Sequence, residues 1–238
     1  MDPNRSGTRI DEIADGIYRV STPFAAIPGG FSFNQYLVVD DEPLLFHTGL
    51  RRLFPAVRDA IARVLPVERL RWIAFSHLEQ DECGALNDFL AAAPRAEAAC
   101  SRVGAMTSVR DLAARPPRAL ADGEALKLGR HEVVWWDAPH VPHGWDCGFL
   151  SEKATRTLFC GDLFTQPGAS HPPLTESDVL APSEALRTAL DYYAHAPATR
   201  ATLEKLARTD PGTLACMHGA AWRGDGAKLL LALADALG

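Results

Sequence analysis

Four apolar runs in this chain stop at turns that carry histidine or carboxylate, and this limits what it can fold into. Residues 70–75 (LRWIAF) run into Ser76-His77-Leu78-Glu79-Gln80-Asp81-Glu82. Residues 132–136 (EVVWW) lead to Pro139-His140-Val141-Pro142-His143-Gly144. The run TLFC (157–160) stops at Gly161-Asp162, and LAC ends at Met217-His218-Gly219. Short β-rich runs of this kind read as buried strands. Strands that each deliver an imidazole or carboxylate at their carboxyl ends bring those groups to one mouth of a sheet. Gly161 and Gly219 let the backbone bend closely beside the delivered side chain.

The remaining pattern supplies a mixed α/β chain. Residues 16–21 (GIYRVS) and 34–39 (NQYLVV) read as strands with Pro28-Gly29-Gly30 as a turn between them. Residues 44–48 (LLFHT) form a short strand stopped by Gly49. Helical spacing of Ala56, Val57, Ala60, Ile61 and Val64 predicts a helix over 55–65, with Pro55 in its first turn and Pro66 beyond its end. Further helices are expected over about 81–92, 103–114, 183–195, 199–208 and 227–237. Further strands are expected at 97–100 and 214–217, and a hairpin joins 149–151 to 157–160 across Glu152-Lys153-Ala154. The Pro-, Gly- and Ser-rich run 164–183 is long for a connection in a compact domain. It reads either as a lid or binding loop or as a disordered surface insertion. No linker or repeat divides the chain, so residues 1–238 are expected to form a single domain.

Composition narrows the partners. The net charge is −6 with no basic stripe, which argues against nucleic acid and against an anionic membrane surface. The N-terminal MDPNRSGTRIDEIADG lacks the apolar region of a signal peptide, and no run of 18 apolar residues is present. Five cysteines without a CxxC pair favour reduced thiols, and a cytoplasmic location is expected.

Positions 77, 79 and 81 alternate, so an extended turn would send His77, Glu79 and Asp81 to one side. With His143, Asp162 and His218 they make a six-residue set of hard and borderline metal donors. This set resembles the metallo-β-lactamase superfamily, and within it the diiron branch of flavodiiron proteins and single-domain oxygen-binding diiron proteins. The hydrolytic branch carries H-x-H-x-D-H, whereas this chain has H-L-E-Q-D-E, with Glu79 at the second His. Eighteen residues between His143 and Asp162 and the ending His218-Gly219-Ala220-Ala221-Trp222-Arg223 also match the diiron branch. The resemblance implies an αββα sandwich of two mixed β-sheets flanked by helices. It implies two iron ions: one held by His77, Glu79 and His143, the other by Asp81 and His218, with Asp162 bridging. One departure stands out, Glu82 where the family often has His. Glu82 then reads as either an added carboxylate donor or a solvated helix-start acid. Exchanging an imidazole for Glu79 adds a hard anionic donor, which suits iron or manganese, while zinc also accepts His and carboxylate.

Other residues take plainer readings. His47 stands where many relatives carry Asp, and reads as either a group that orients a metal donor or a core histidine. His140 competes with His143, and the spacing to Asp162 favours His143. His131, His171 and His195 are expected at the surface, with His171 able to line a pocket. Asp146 is a candidate to hold a donor in place, and Trp145 and Trp222 read either as walls of the site or as plain core packing. The cysteines are expected to be small buried residues. Arg223-Gly224-Asp225 is read as a coincidental tripeptide.

Three functions are weighed. The resemblance implies a non-haem diiron protein that binds dioxygen or nitric oxide. It would act as a gas sensor with a signalling protein, or as an oxidoreductase fed by an external electron donor. The alternative is a metal-dependent hydrolase of an ester, lactone or phosphoester, against which Glu79 counts. The third is a closed, structural metal site, with Glu82 helping to close it. Sequence leaves the oligomeric state open.

Overall fold

The computed structural model describes residues 7–238; residues 1–6, the start of the polar N-terminal segment and of the expected single domain, lie outside them. Fourteen strands among the described residues form two seven-stranded sheets. The first contains β1 (Arg9–Ala14), β2 (Ile17–Phe24), β3 (Phe31–Val38), β4 (Leu44–Phe46), β5 (Trp72–Ala74), β6 (Glu97–Ser101) and β7 (Arg118–Leu120), in that spatial order. Its first four strands pair antiparallel and its last four parallel. The second contains β8 (Ala125–Lys127), β9 (Glu132–Asp137), β10 (Gly148–Glu152), β11 (Thr157–Gly161), β12 (Leu174–Thr175), β13 (Thr213–Cys216) and β14 (Ala221–Arg223). Its order is β12-β14-β13-β11-β10-β9-β8, with β11/β13 and β12/β14 parallel and the other pairs antiparallel.

The apolar faces explain why the sheets stack. Tyr36, Phe46, Trp135 and Phe159 fill the space between them. The Phe159 ring sits 5.4 Å from Phe46 and 5.8 Å from Tyr36, so aromatic contacts cross the interface. Behind the first sheet, Val20, Leu37 and Ile73 pack against Val57 and Ile61 of α1 (Phe54–Ile61) and Phe89 of α3 (Leu86–Ala92). Behind the second, Leu158 and Leu214 pack against α7 (Thr199–Ala207) and α8 (Gly226–Leu237). Full burial of each Leu in these outer layers contributes about 1.5–3 kcal/mol. The result is the helix–sheet–sheet–helix sandwich that the resemblance implies, with β4, β5, β11 and β13 as buried apolar runs at its centre.

Several elements differ from expectation for local reasons. The helix expected over 81–92 breaks into α2 (Gln80–Cys83) and α3. The turn after β4 inserts there: the Ala85 N–H donates to the Gly49 carbonyl and Thr48 Oγ1. The 103–114 helix is a π segment (Ala105–Val109) between the short α4 (Arg102–Gly104) and α5 (Arg110–Leu112). Helix α6 (Leu180–Leu190) starts three residues early, and Asp191 ends it in a left-handed conformation. Strands β1, β7, β8, β12 and β14 have no counterpart in the sequence reading: they are short or charged, and only pairing reveals them. The 164–183 run follows an ordered path: Gly168 N–H donates to Gly30 O, β12 pairs with β14, and α6 begins within it.

Candidate metal centre

All six expected donors converge at one mouth of the sandwich. His77, Glu79 and Asp81 lie on the turn after β5 and in the first turn of α2. Glu79 is extended (φ −135°, ψ 154°), which aims it away from the helix it precedes. His143 lies in the β9–β10 connection, Asp162 directly after β11, and His218 after β13. Each sheet therefore supplies three of the six.

The donors fall into two groups that share Asp162. In the first, Glu79 Oε2 lies 2.9 Å from His77 Nε2 and 3.1 Å from His143 Nε2. Asp162 Oδ2 is 3.8 Å and 3.5 Å from the same two nitrogens. One donor atom from each of His77, Glu79, His143 and Asp162 fits within 4.8 Å of all the others. In the second, His218 Nε2 is 3.2 Å from Asp162 Oδ1 and 3.5 Å from Asp81 Oδ2. The two oxygens of Asp162 thus face different groups, which is the placement a bridging carboxylate requires.

Each histidine is fixed from behind. His143 Nδ1 lies 3.0 Å from the Tyr192 carbonyl and His218 Nδ1 2.9 Å from the Ser32 carbonyl. A carbonyl only accepts, so Nδ1 carries the proton and Nε2 is presented to the cluster. Behind His77, the acceptor is Glu82, 3.2 Å from Nδ1. Phe31 lies against the His218 ring at 4.3 Å.

The charges are crowded. Hydrogen bonds with His143 and His77 hold Glu79 far below the usual carboxylate range. Burial, with the charges of Asp162, Glu82 and Glu79, pushes Asp81 up to about 7 against the pull of His218. Burial alone would lower His218, but Asp162 and Asp81 raise it to about 9. Burial is likewise outweighed at His77, where Glu82 and the contacts with Cys147 and Glu79 raise the imidazolium strongly. Protons therefore occupy nitrogens and oxygens that a divalent cation would compete for.

The donor set fits the implied metals. Among the described residues the buried Asp162 Oδ1 accepts no well-aligned hydrogen bond, although His218 Nε2 stands 3.2 Å away, and a cation between such atoms would satisfy it. Imidazole nitrogens and carboxylate oxygens around a shared carboxylate suit a bridged pair of iron or related divalent ions.

Glu82 does not join either group. It is fully buried, and its carboxylate accepts from Ser76 Oγ at 2.6 Å and the His77 N–H at 2.8 Å. That corrects the solvated reading and gives no support to a donor role. His47 lies behind it, 3.5 Å from Glu82 Oε1. Asp146 accepts the Leu78 N–H at 2.9 Å, so it holds the turn rather than a donor side chain. His131 is a correction: it is buried and paired with Glu152 at 3.0 Å. His140 and His195 are exposed, and His171 is half-buried against the Gly168 carbonyl. Trp145 is exposed rather than packed, whereas Trp222 is half-buried and donates to Ser177 O. All five cysteines are free and buried.

The sequence reading missed the side chains that hold the His218 loop. Asn34 Nδ2 donates to the carbonyls of Cys216 and Gly219, Tyr36 Oη to Cys216 O, and Arg19 Nη2 to Gly219 O. The one signal was polar residues, Arg19, Asn34 and Gln35, inside otherwise apolar strands.

Comparison with known proteins agrees with the fold. Rubredoxin-oxygen oxidoreductase from Megalodesulfovibrio gigas is 29% identical over 209 residues, covering 83% of this chain and 50% of that protein. The chain thus spans about half the length of that relative. The solved rubredoxin oxygen:oxidoreductase of Desulfovibrio gigas superposes with a TM-score of 0.83 at 24% identity, over 95% of this chain and 62% of that one. A fragment (1–254) of putative diflavin flavoprotein A 5 from a Nostoc species gives 0.83 at 17% identity, over 97% of this chain and 95% of the fragment. The family model for ODP family beta lactamase matches residues 31–219, which include all six converging donors, and the chain belongs to that family.

Proposed function

We propose that this chain is a non-haem diiron protein that binds dioxygen or nitric oxide, acting as a gas sensor or as an oxidoreductase with a separate electron donor. His77, Glu79 and His143 would hold one iron, Asp81 and His218 the other, and Asp162 both. The observation that carries the reading is Glu79, whose carboxylate sits between the two imidazole nitrogens of the first group. Its charge adds a hard donor where a hydrolytic site of this fold would place a neutral imidazole, and this favours the more oxidised ion. Two ferrous ions, when bound, supply the electrons and the open positions that a diatomic gas requires.

The chain's own residues prepare the site. Ser32, Tyr192 and Glu82 lock three imidazoles with Nε2 inward. Phe31 covers the His218 ring. The Glu82 carboxylate is taken up by Ser76 Oγ and the His77 N–H, which disfavours its closing the second position and with it a purely structural site. The names of relatives support the reading: one is a rubredoxin-oxygen oxidoreductase, and another, from Methanothermobacter thermautotrophicus, a coenzyme F420H(2) oxidase. The donor for this chain is therefore expected to be a small redox protein or reduced cofactor. No helix among the described residues is long and apolar enough to cross a membrane. Free thiols throughout fit a reducing cytoplasm.

Metal analysis of chain prepared with iron in the absence of oxygen tests the proposal. About two irons per chain are expected, falling in Glu79→Ala and Asp162→Ala, with a spectral change on adding oxygen or nitric oxide. Zinc or manganese at that stoichiometry, no gas-linked change, and turnover of chromogenic esters or phosphodiesters lost in Asp162→Ala would replace it with the hydrolase reading.

A further inference from the structure

Glu82 is the most buried carboxylate at the site, and its contacts set it apart from the donors. Among the described residues, the polar partners of its side chain all lie on the ends of β4 and β5: His47, Ser76 and His77. Its Oε2 accepts the His77 backbone N–H at 2.8 Å and stands 3.2 Å from the same residue's Nδ1. The imidazole is thereby gripped at its backbone and at the ring nitrogen opposite the cluster. A carboxylate with no exposed surface is costly unless paired. Its nearest base is the His77 ring itself, with Nδ1 at 3.2 Å; on its other side His47 Nε2 stands 3.5 Å from Oε1, 3.2 Å from Ser76 Oγ and 3.4 Å from the Ser76 backbone nitrogen.

His47 is held in place to do this. It adopts a left-handed backbone (φ 67°), uncommon for a residue with a side chain. Its N–H donates to Ala74 O at 2.7 Å, and its ring rests on Phe46 at 4.2 Å. Such a conformation persists where the surroundings over-determine it.

We infer that Glu82 and His47 are a buried acid–base pair that positions His77 for metal binding, and that Glu82 is not itself a metal donor. This rests on the diiron reading for its metal consequence, but the pair stands on its own geometry. What the two positions require is one acid and one base. Reversing either alone leaves two carboxylates or two imidazoles face to face without water; reversing both restores the pair.

The test uses Glu82→Gln, His47→Asp, Glu82→His and the double variant His47→Asp/Glu82→His. Two quantities are measured on the full chain: Co(II) affinity and stoichiometry from visible absorption, and the thermal midpoint of the metal-free protein. Glu82→Gln is expected to weaken Co(II) binding by about 10–100-fold with the number of bound ions unchanged. Each single reversal is expected to lower both the affinity and the metal-free midpoint, and the double variant to recover most of both losses. Wild-type affinity in Glu82→Gln, the loss of one bound ion in that variant, or a double variant no better than the worse single would each overturn the inference. A wild-type chain that binds neither Co(II) nor iron would remove the diiron reading. Recovery of the metal-free midpoint in the double variant would then still decide whether the pair exists.

Discussion

Gly219 follows His218 at φ +94°, and a Cβ built there would stand 2.6 Å from the Gln166 side chain. The bend lets the Gly219 carbonyl accept from Arg19 and Asn34 while its N–H donates to Ser32. Gly219→Ala is therefore expected to cost about 1–3 kcal/mol and to displace His218 from Asp81 and Asp162. Metal analysis should show the loss falling on the Asp81–His218 position, with the His77 position still filled. The expected donors were legible as a set rather than one by one, because a single imidazole or carboxylate at a strand end is common, and four of them, His77, Glu79, His143 and Asp162, come within reach of one ion. Their supports were not legible: Asn34 reaches Cys216 across 182 positions, and nothing local marks it. His131 shows the same limit from the other side. A histidine beside charged residues reads as exposed until the fold buries it against Glu152.

At the scale of elements, Glu152 joins the β10–β11 turn to the approach to β9. Its carboxylate accepts from Ala154 N–H, Thr155 N–H and Thr155 Oγ1, and pairs with His131 Nδ1 at 3.0 Å. Burial would raise this acid, but the Thr155 and Ala154 hydrogen bonds and His131 outweigh it and lower it. A carboxylate lowered in the folded state contributes stability above its unfolded value and loses it as pH falls through the folded one. Glu152→Gln should therefore destabilise by about 1–3 kcal/mol at neutral pH. The gap from wild type should close below the ordinary value of 4.5 as the wild-type carboxylate takes up a proton while the Gln variant, uncharged throughout, does not change, which denaturant melts across pH will show. A gap constant with pH would mean that shape rather than charge holds the turn. Elements with a strong period or a buried apolar run were legible in the sequence, as α1, α8, β5 and β11 show. The split of α2 from α3 was not, because it depends on the Gly49 carbonyl arriving from another strand.

At the scale of the whole molecule, each sheet contributes three of the six proposed donors, so metals bound as proposed would cross-link the two halves of the sandwich. Removing them should lower stability by about 2.7 kcal/mol for each ion, for free metal at 100 times its dissociation constant. For a chain of this size that is roughly a 5–11 °C fall in thermal midpoint. Calorimetry with and without a chelator measures it. A midpoint indifferent to chelation would show that the sheets do not share the metals. The sandwich was legible only through the family pattern of its donors, since the pairing order β12-β14-β13-β11-β10-β9-β8 leaves no trace in local periodicity.

The spread of the donors along the chain also sets a timetable. His77 leaves the ribosome long before His218, and no short segment between them holds a complete set. A peptide finger gathers its ion from neighbours and folds around it. Here the ion has nowhere to go until both sheets have met. Scarcity of iron in a cell would then accumulate finished, empty protein ready for loading, and the supply of metal, rather than the rate of synthesis, would set how much of it works.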